Sequence, residues 1–234
     1  MRWSVTRLAA AIAIGALISL AVWWAWGRPT RLSDIWPIDL SRPGGFLVDR
    51  QIADIRHDAA LCSAVLSSPQ IQAKPVPDAT PRPGCGWSNA VDASVVGGAR
   101  LAVRPVTCEL AVSLAFWMEH TVQPAALATL GTRVASIEHL GSYACRNIRG
   151  SPSLADQPSE HASANALDIK AFRLADGRRV AVAADWGRSA PEGRFLSEVH
   201  AGACRYFRVA IGPEYNAAHR DHFHLDRGRW RACR

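Results

Sequence analysis

Lysine is nearly absent from this chain: of 27 basic side chains only Lys74 and Lys170 are lysines, and the rest are arginines. With 20 acids the formal charge is +7. That charge suits an anionic partner such as nucleic acid, a membrane surface or an acidic wall polymer, and does not choose among them. No two of the six cysteines stand as a CxxC pair, which argues against a zinc ribbon or a thioredoxin-type redox site. Internal repeats and low-complexity tracts are missing, so the 234 residues read as one ordinary folded domain plus an N-terminal element. Regular βαβ alternation is missing too, which argues against a doubly wound parallel sheet.

What is present begins with MRWSVTRLAAAIAIGALISLAVWWAWG. After Arg2 and Arg7, Leu8 to Gly27 run uncharged for 20 residues, enough for one bilayer crossing. The run ends in Trp23, Trp24 and Trp26, side chains that prefer the membrane–water interface, rather than in a small-residue cleavage site. It predicts a signal-anchor over residues 1–27, with everything after Arg28 exported; Arg28 and Arg31 weaken the charge asymmetry. Cys62, Cys85, Cys108, Cys145, Cys204 and Cys233 all lie beyond this run. An even number in an exported chain predicts three disulfides, against a bland reading as buried free thiols. The sequence does not choose among the pairings.

Residues 28–47, rich in Pro, Gly and Arg, read as a tether, and residues 48–234 as the folded domain. Ile52, Ile55, Ala59, Cys62 and Leu66 predict an amphipathic helix ending at Ser67-Ser68-Pro69. KPVPDATPRPGCG reads as a loop. Val91–Val96 and Arg100–Val106 flank Gly97-Gly98 as a hairpin. Thr107 is the N-cap of a second helix, Pro124 opens a third that ends at Gly131, and a late helix covers about residues 192–207. Strand-like segments cover 134–140, 166–174 and 178–184, and HFHLD ends the chain as another. The pattern is α+β, with an expected antiparallel sheet flanked by helices.

Two short segments carry potential chemistry. In HRDHFHLD, a strand would point His222 and His224 to one face, leaving His219 in the preceding turn; a histidine-rich exposed strand end is the plain reading. In SEHASANALDIKAF, His161 and Asp168 would lie about 10 Å apart along a continuous helix, too far for one metal ion bonded at about 2 Å. A turn over Ala162–Asn165 brings them together, with Leu167, Ile169 and Ala171 toward the core and Asp168 at the start of a strand facing the site. Arg146, in GSYACRNIRG, taken by itself reads as a surface arginine. His200 and Cys204, four apart on the late helix, form another conceivable metal pair, while His57, His120 and His139 have no motif around them.

Ser159-x-His161-x-x-Ala164-x-Ala166-x-Asp168 resembles the SxHxxGxAxD motif of the LAS zinc metallopeptidases, named for lysostaphin, D-alanyl-D-alanine metallopeptidases and sonic hedgehog, and HFH resembles their HxH. The runs SYACR, SEHASANALDI, FL-x-x-VH-x-x-AC-x-x-F and GPEYNAAHRDHFHLD together resemble the bacterial extensin-like C-terminal domain family over roughly Cys62 to Cys233. The LAS resemblance implies a zinc site held by His161, Asp168 and His224, with His222 assisting catalysis and Arg146 and Ser159 contacting substrate or orienting a ligand. Three protein ligands leave a fourth position open, as in catalytic zinc sites. Ala164 stands where the motif has glycine, and the glutamate base of some carboxypeptidase relatives is missing.

The implied function is a zinc peptidase acting on peptidoglycan, single-pass in the bacterial inner membrane with its domain in the periplasm, and with no nucleic-acid partner. The alternative is a zinc-containing wall-binding module without turnover. A metal nuclease would suit the basicity but leaves export and the motif spacing unexplained. Oligomeric state and the bond cut are not legible.

Overall fold

The computed structural model describes residues 5–26, 32–150 and 152–234; Arg2, Gly27, Arg28 and Arg31, on which part of the anchor and tether reading rests, lie outside them. The chain divides into two units after Pro37. The first contains helix α1 (Val5–Trp26) and the short α2 (Leu32–Ile35). Within α1, residues 7–24 have a mean hydropathy of 1.8, and Leu8, Ile12, Leu17, Trp23 and Trp24 are all exposed. By length and composition this is a membrane anchor or a signal sequence.

The second unit starts at Ile38, inside the expected tether. Leu40 is buried in its core and its carbonyl pairs with the His120 ring at 2.9 Å. Helix α3 (Val48–Asp54), a 3-10 turn (Ile55–His57) and α4 (Ala59–Leu66) follow. They replace the single helix expected there, because Asp58 leaves the helical conformation and caps α4 by accepting from the Leu61 N–H at 2.9 Å. The stretch read as a loop, residues 74–86, takes in the end of β1 (Ile71–Val76), all of β2 (Ala79–Arg82) and the start of β3 (Cys85–Trp87). Pro75 is tolerated because β1 is an edge strand of the main sheet.

Next come β4 (Ala90–Val96), β5 (Ala99–Thr107), α5 (Cys108–Trp117), a π-helical turn (Met118–Val122), α6 (Gln123–Leu130) and β6 (Val134–His139). Thr107 caps α5 through the Leu110 N–H, and Gly131 ends α6 in the left-handed conformation at φ 73°. Then β7 (Ala166–Leu174), β8 (Arg179–Ala181), α7 (Val182–Asp185), α8 (Pro191–Ala203), β9 (Val209–Ile211), β10 (Phe223–Asp226) and β11 (Ala232–Cys233) complete the chain.

The main sheet runs β1-β4-β5-β6-β7-β10-β9-β11, with β8 also on β7. It is mixed, not antiparallel as expected: β5 pairs β6 and β9 pairs β11 in parallel. The first parallel pair arises because α5, the π turn and α6 form a crossover long enough to return the chain in the same direction. The second arises because β11 returns past β10 to the far edge of β9. Helix α5 is buried on all sides, in keeping with a sequence apolar except for Glu109 and Ser113. Its Trp117 packs on Phe172 and Phe207 and donates to the Val199 carbonyl of α8 at 2.8 Å. Burying each such large side chain contributes about 1.5–3 kcal/mol.

Disulfides join Cys62 to Cys108, Cys85 to Cys145 and Cys204 to Cys233. The last pair removes Cys204 from any metal role. His200 instead packs against Trp186 and Phe223, with its Nε2 buried and unpartnered and its pKa lowered by burial.

Candidate metal centre

Three elements position the site. Residues 159–165 form a tight reversal: Ser159 accepts from the His161 N–H at 3.3 Å, a 3-10 turn covers Glu160–Ser163, and Ala164 takes the left-handed conformation at φ 55° and ψ 27°. The chain then enters β7, which buries Leu167, Ile169 and Ala171 and leaves Asp168 on the other face, 8 % exposed. Strand β10 pairs antiparallel with β7, placing His224 directly opposite Asp168. The reversal required by the His161–Asp168 spacing is therefore present, and it crosses the left-handed region at the alanine.

His161 Nε2, Asp168 Oδ1 and His224 Nδ1 stand 3.1, 3.2 and 2.9 Å from one another. Donors bonded at about 2.0–2.1 Å to one tetrahedral ion are about 3.3 Å apart, so this triangle has the size a small divalent cation needs. The other ring nitrogens decide what the triangle presents. His161 Nδ1 faces the Ser142 carbonyl at 3.0 Å, and His224 Nε2 faces Asp226 Oδ2 at 3.0 Å. Each of those partners is an acceptor, so each outer nitrogen carries the hydrogen. In the neutral rings the inner nitrogens then hold lone pairs, and with the Asp168 oxygen three acceptors point at one spot. That is unfavourable unless a cation sits among them, and tying the outer nitrogen to a carbonyl or carboxylate is how metal-binding histidines are oriented.

Electrostatics agree with the donor set. Burial opposes charge on Asp168, but hydrogen bonds and charge from His161 and His224 outweigh it and hold the carboxyl far below the usual range. Burial also opposes charge on His224, yet the Asp168 and Asp226 carboxylates push it up to about 9. Without a metal, a proton takes the cation's place there.

A family model described as Extensin-like protein C-terminus matches residues 60–234. The chain belongs to this family. The curated proteins and the solved structures searched give no match. Within this extensin-like domain the match covers all three triangle residues, the turn that carries His161 and the strands that carry Asp168 and His224.

A cleft of about 820 Å³ opens over the triangle in the extensin-like domain, lined by Asp168, His224, His222, His219, Arg146 and Ser159 among others. His222 lies just before β10, with Nε2 3.7 Å from Asp168 Oδ1 and Nδ1 donating to Asp221 Oδ1 at 2.9 Å. His222 and His224 thus reach the same centre. Ser159 lines the cleft while its hydroxyl caps the turn. Arg146 is carried by a segment paired with residues 157–159, its carbonyl accepting from the Ser159 N–H at 3.1 Å. Burial and the nearby Arg149 charge lower its pKa, and Asp168 opposes that shift.

Several residues have parts that the sequence reading did not assign, although it placed His219 in the turn before the strand. Asp226 orients His224, and its spacing of two along a strand was the signal that could have found it. Asp221 orients His222. His219 lies near both His222 and His224, tilted to one ring and edge-on to the other, with ring centroids 5.3 and 5.8 Å away. Its Nδ1 donates to Asn216 Oδ1 at 2.7 Å; that oxygen is identified by also accepting the Ala218 N–H, while Asn216 Nδ2 donates to Gly150. Burial, then the His224 and His222 charges, push its pKa down to about 4. Arg149 lines the cleft beside Arg146, and Arg229 lines it while stacking on Trp230.

Proposed function

We propose that the protein is a zinc-dependent peptidase of the cell envelope that hydrolyses amide bonds in peptidoglycan stem peptides or crosslinks. The observation that carries this reading is the triangle of three lone-pair donors, His161 Nε2, Asp168 Oδ1 and His224 Nδ1, with both imidazoles locked by acceptors on their outer nitrogens. The same three residues match the ligand positions of the LAS zinc metallopeptidase motif. The zinc would be held by these residues; when bound it supplies a Lewis acid for the scissile carbonyl and lowers the pKa of water.

The chain's own groups divide the remaining work. His222 Nε2 has its lone pair available, because Nδ1–H is donated to Asp221, so it can take the proton of the attacking water and deliver it to the leaving amine. Arg146 and Arg149 line one cleft with no ion pair to an acid among the described residues, an arrangement suited to substrate carboxylates. His219 stays neutral and offers a hydrogen-bond acceptor at Nε2. Asp226 and the Ser142 carbonyl hold the ligand rings in place.

The purified full chain incubated with muropeptides, with and without a chelator, tests this reading. Expected are cleaved products that vanish with chelator and in His161→Ala. Unchanged muropeptides with zinc-loaded protein would refute the peptidase. The rival wall-binding module draws on Ala164 and on the missing glutamate base; the alanine adopts the left-handed turn and the three donors still meet, so of the two departures only the missing glutamate favours it.

A further inference from the structure

Phe46 is 92 % exposed, the most exposed of the large apolar side chains described. It is not on a frayed end. The loop before it is pinned by the Tyr206 hydroxyl donating to the Pro43 carbonyl and by Arg205 donating to the Gly44 carbonyl. Gly44 has φ 69°, and a Cβ there would run into Val48, so the tight turn that presents Phe46 is built for glycine. Beside Phe46, Arg50, Arg205 and Arg231 line one shallow hollow, and Arg42 and Arg50 are 83 and 72 % exposed at their side chains.

Acids nearby offset part of this charge and leave the arginines in excess. Asp39 faces Arg42 and Asp54 faces Arg50, but Asp49 is shared by Arg208, Arg227 and Arg231. A projecting aromatic ring beside three guanidinium groups has the makeup of an interfacial contact: the ring enters the headgroup–acyl boundary and the cations meet anionic headgroups. A carboxylate polymer would use the arginines but leave the phenyl ring without a role. Chain length fits as well. The apolar α1 ends at Trp26 and Leu40 is already buried in the domain, and the 13 residues between them span at most about 50 Å when extended.

We infer that the face around Phe46, with Arg42, Arg50, Arg205 and Arg231, docks on an anionic lipid surface. The full chain, with its apolar helix, reconstituted in nanodiscs of neutral or of phosphatidylglycerol-containing lipid and followed by hydrogen–deuterium exchange, tests this. Slower exchange over residues 42–50 in the anionic discs is expected, and its loss in Phe46→Ser and Arg50→Glu, whose side chains lie outside the core. Equal exchange in both kinds of disc would overturn the inference. So would equal slowing by soluble polyglutamate in neutral discs, which would assign the face to a polymer.

Discussion

Asp226 shows what single residues contribute beyond the ligand set. Its Oδ2 holds His224 Nε2 at 3.0 Å and its Oδ1 accepts the Gly228 N–H at 2.8 Å. Asp226→Ala should weaken zinc affinity about 10–100-fold, read by competition with a chromophoric chelator, with the fold retained by circular dichroism. Ala164 is a second such position. A non-glycine residue in the left-handed region costs on the order of 1 kcal/mol, while removing its fully buried methyl costs about as much. Ala164→Gly should therefore change stability by less than about 1 kcal/mol and leave zinc affinity unaltered; a marked gain in turnover would show that the alanine impairs the site. That His161, Asp168 and His224 meet was legible only through the resemblance to the LAS motif, which joins two segments some sixty residues apart; spacing alone left a plain histidine-rich strand end open. Asp221 and His219 were not legible, since their parts depend on where a loop folds over a strand end.

Among elements, the end of β10 is secured by a buried ionic network. Arg227, fully buried, donates to Glu109 Oε1 at 3.0 Å and to Asp49 Oδ1 at 2.5 Å, and Arg56 donates to Glu109 Oε2 at 2.7 Å. Arg227→Met leaves the buried Glu109 and the half-buried Asp49 each short of a partner and should cost about 3–5 kcal/mol in urea unfolding. Asp49 has a definite pH signature. Burial raises its pKa, but Arg227 and Arg208 outweigh burial and the folded value is lowered. Its contribution is therefore fully present above the unfolded value and lost as pH falls through the folded one. Asp49→Asn should lower stability at neutral pH and flatten its decline below about pH 4. Helices α5 and α6 and the β4–β5 hairpin were visible from Thr107, Pro124, Gly131 and Gly97-Gly98. Strands β1 to β3 were hidden because Pro75 and its neighbours mimic a loop when the edge position is unknown, and the break at Asp58 was hidden because the apolar spacing continues across it.

At the scale of the whole molecule, the disulfides join segments that the sheet alone does not. Cys85–Cys145 ties the β2–β3 hairpin to residues 142–148, which supply the Ser142 carbonyl and Arg146. Replacing both cysteines by serine should cost about 2–5 kcal/mol and weaken substrate binding before metal binding, checked by thermal unfolding beside zinc titration. The α+β class followed from the order of elements, but not the mixed sheet, because strand order depends on which edge a crossover returns to. The central claim is that His161, Asp168 and His224 hold a metal in a cleft built for hydrolysis, and anomalous diffraction at the zinc edge from zinc-loaded crystals tests it most directly. The account predicts one strong peak bonded to His161 Nε2, Asp168 Oδ1 and His224 Nδ1; no peak there, or one displaced to His219 and His222, would contradict it.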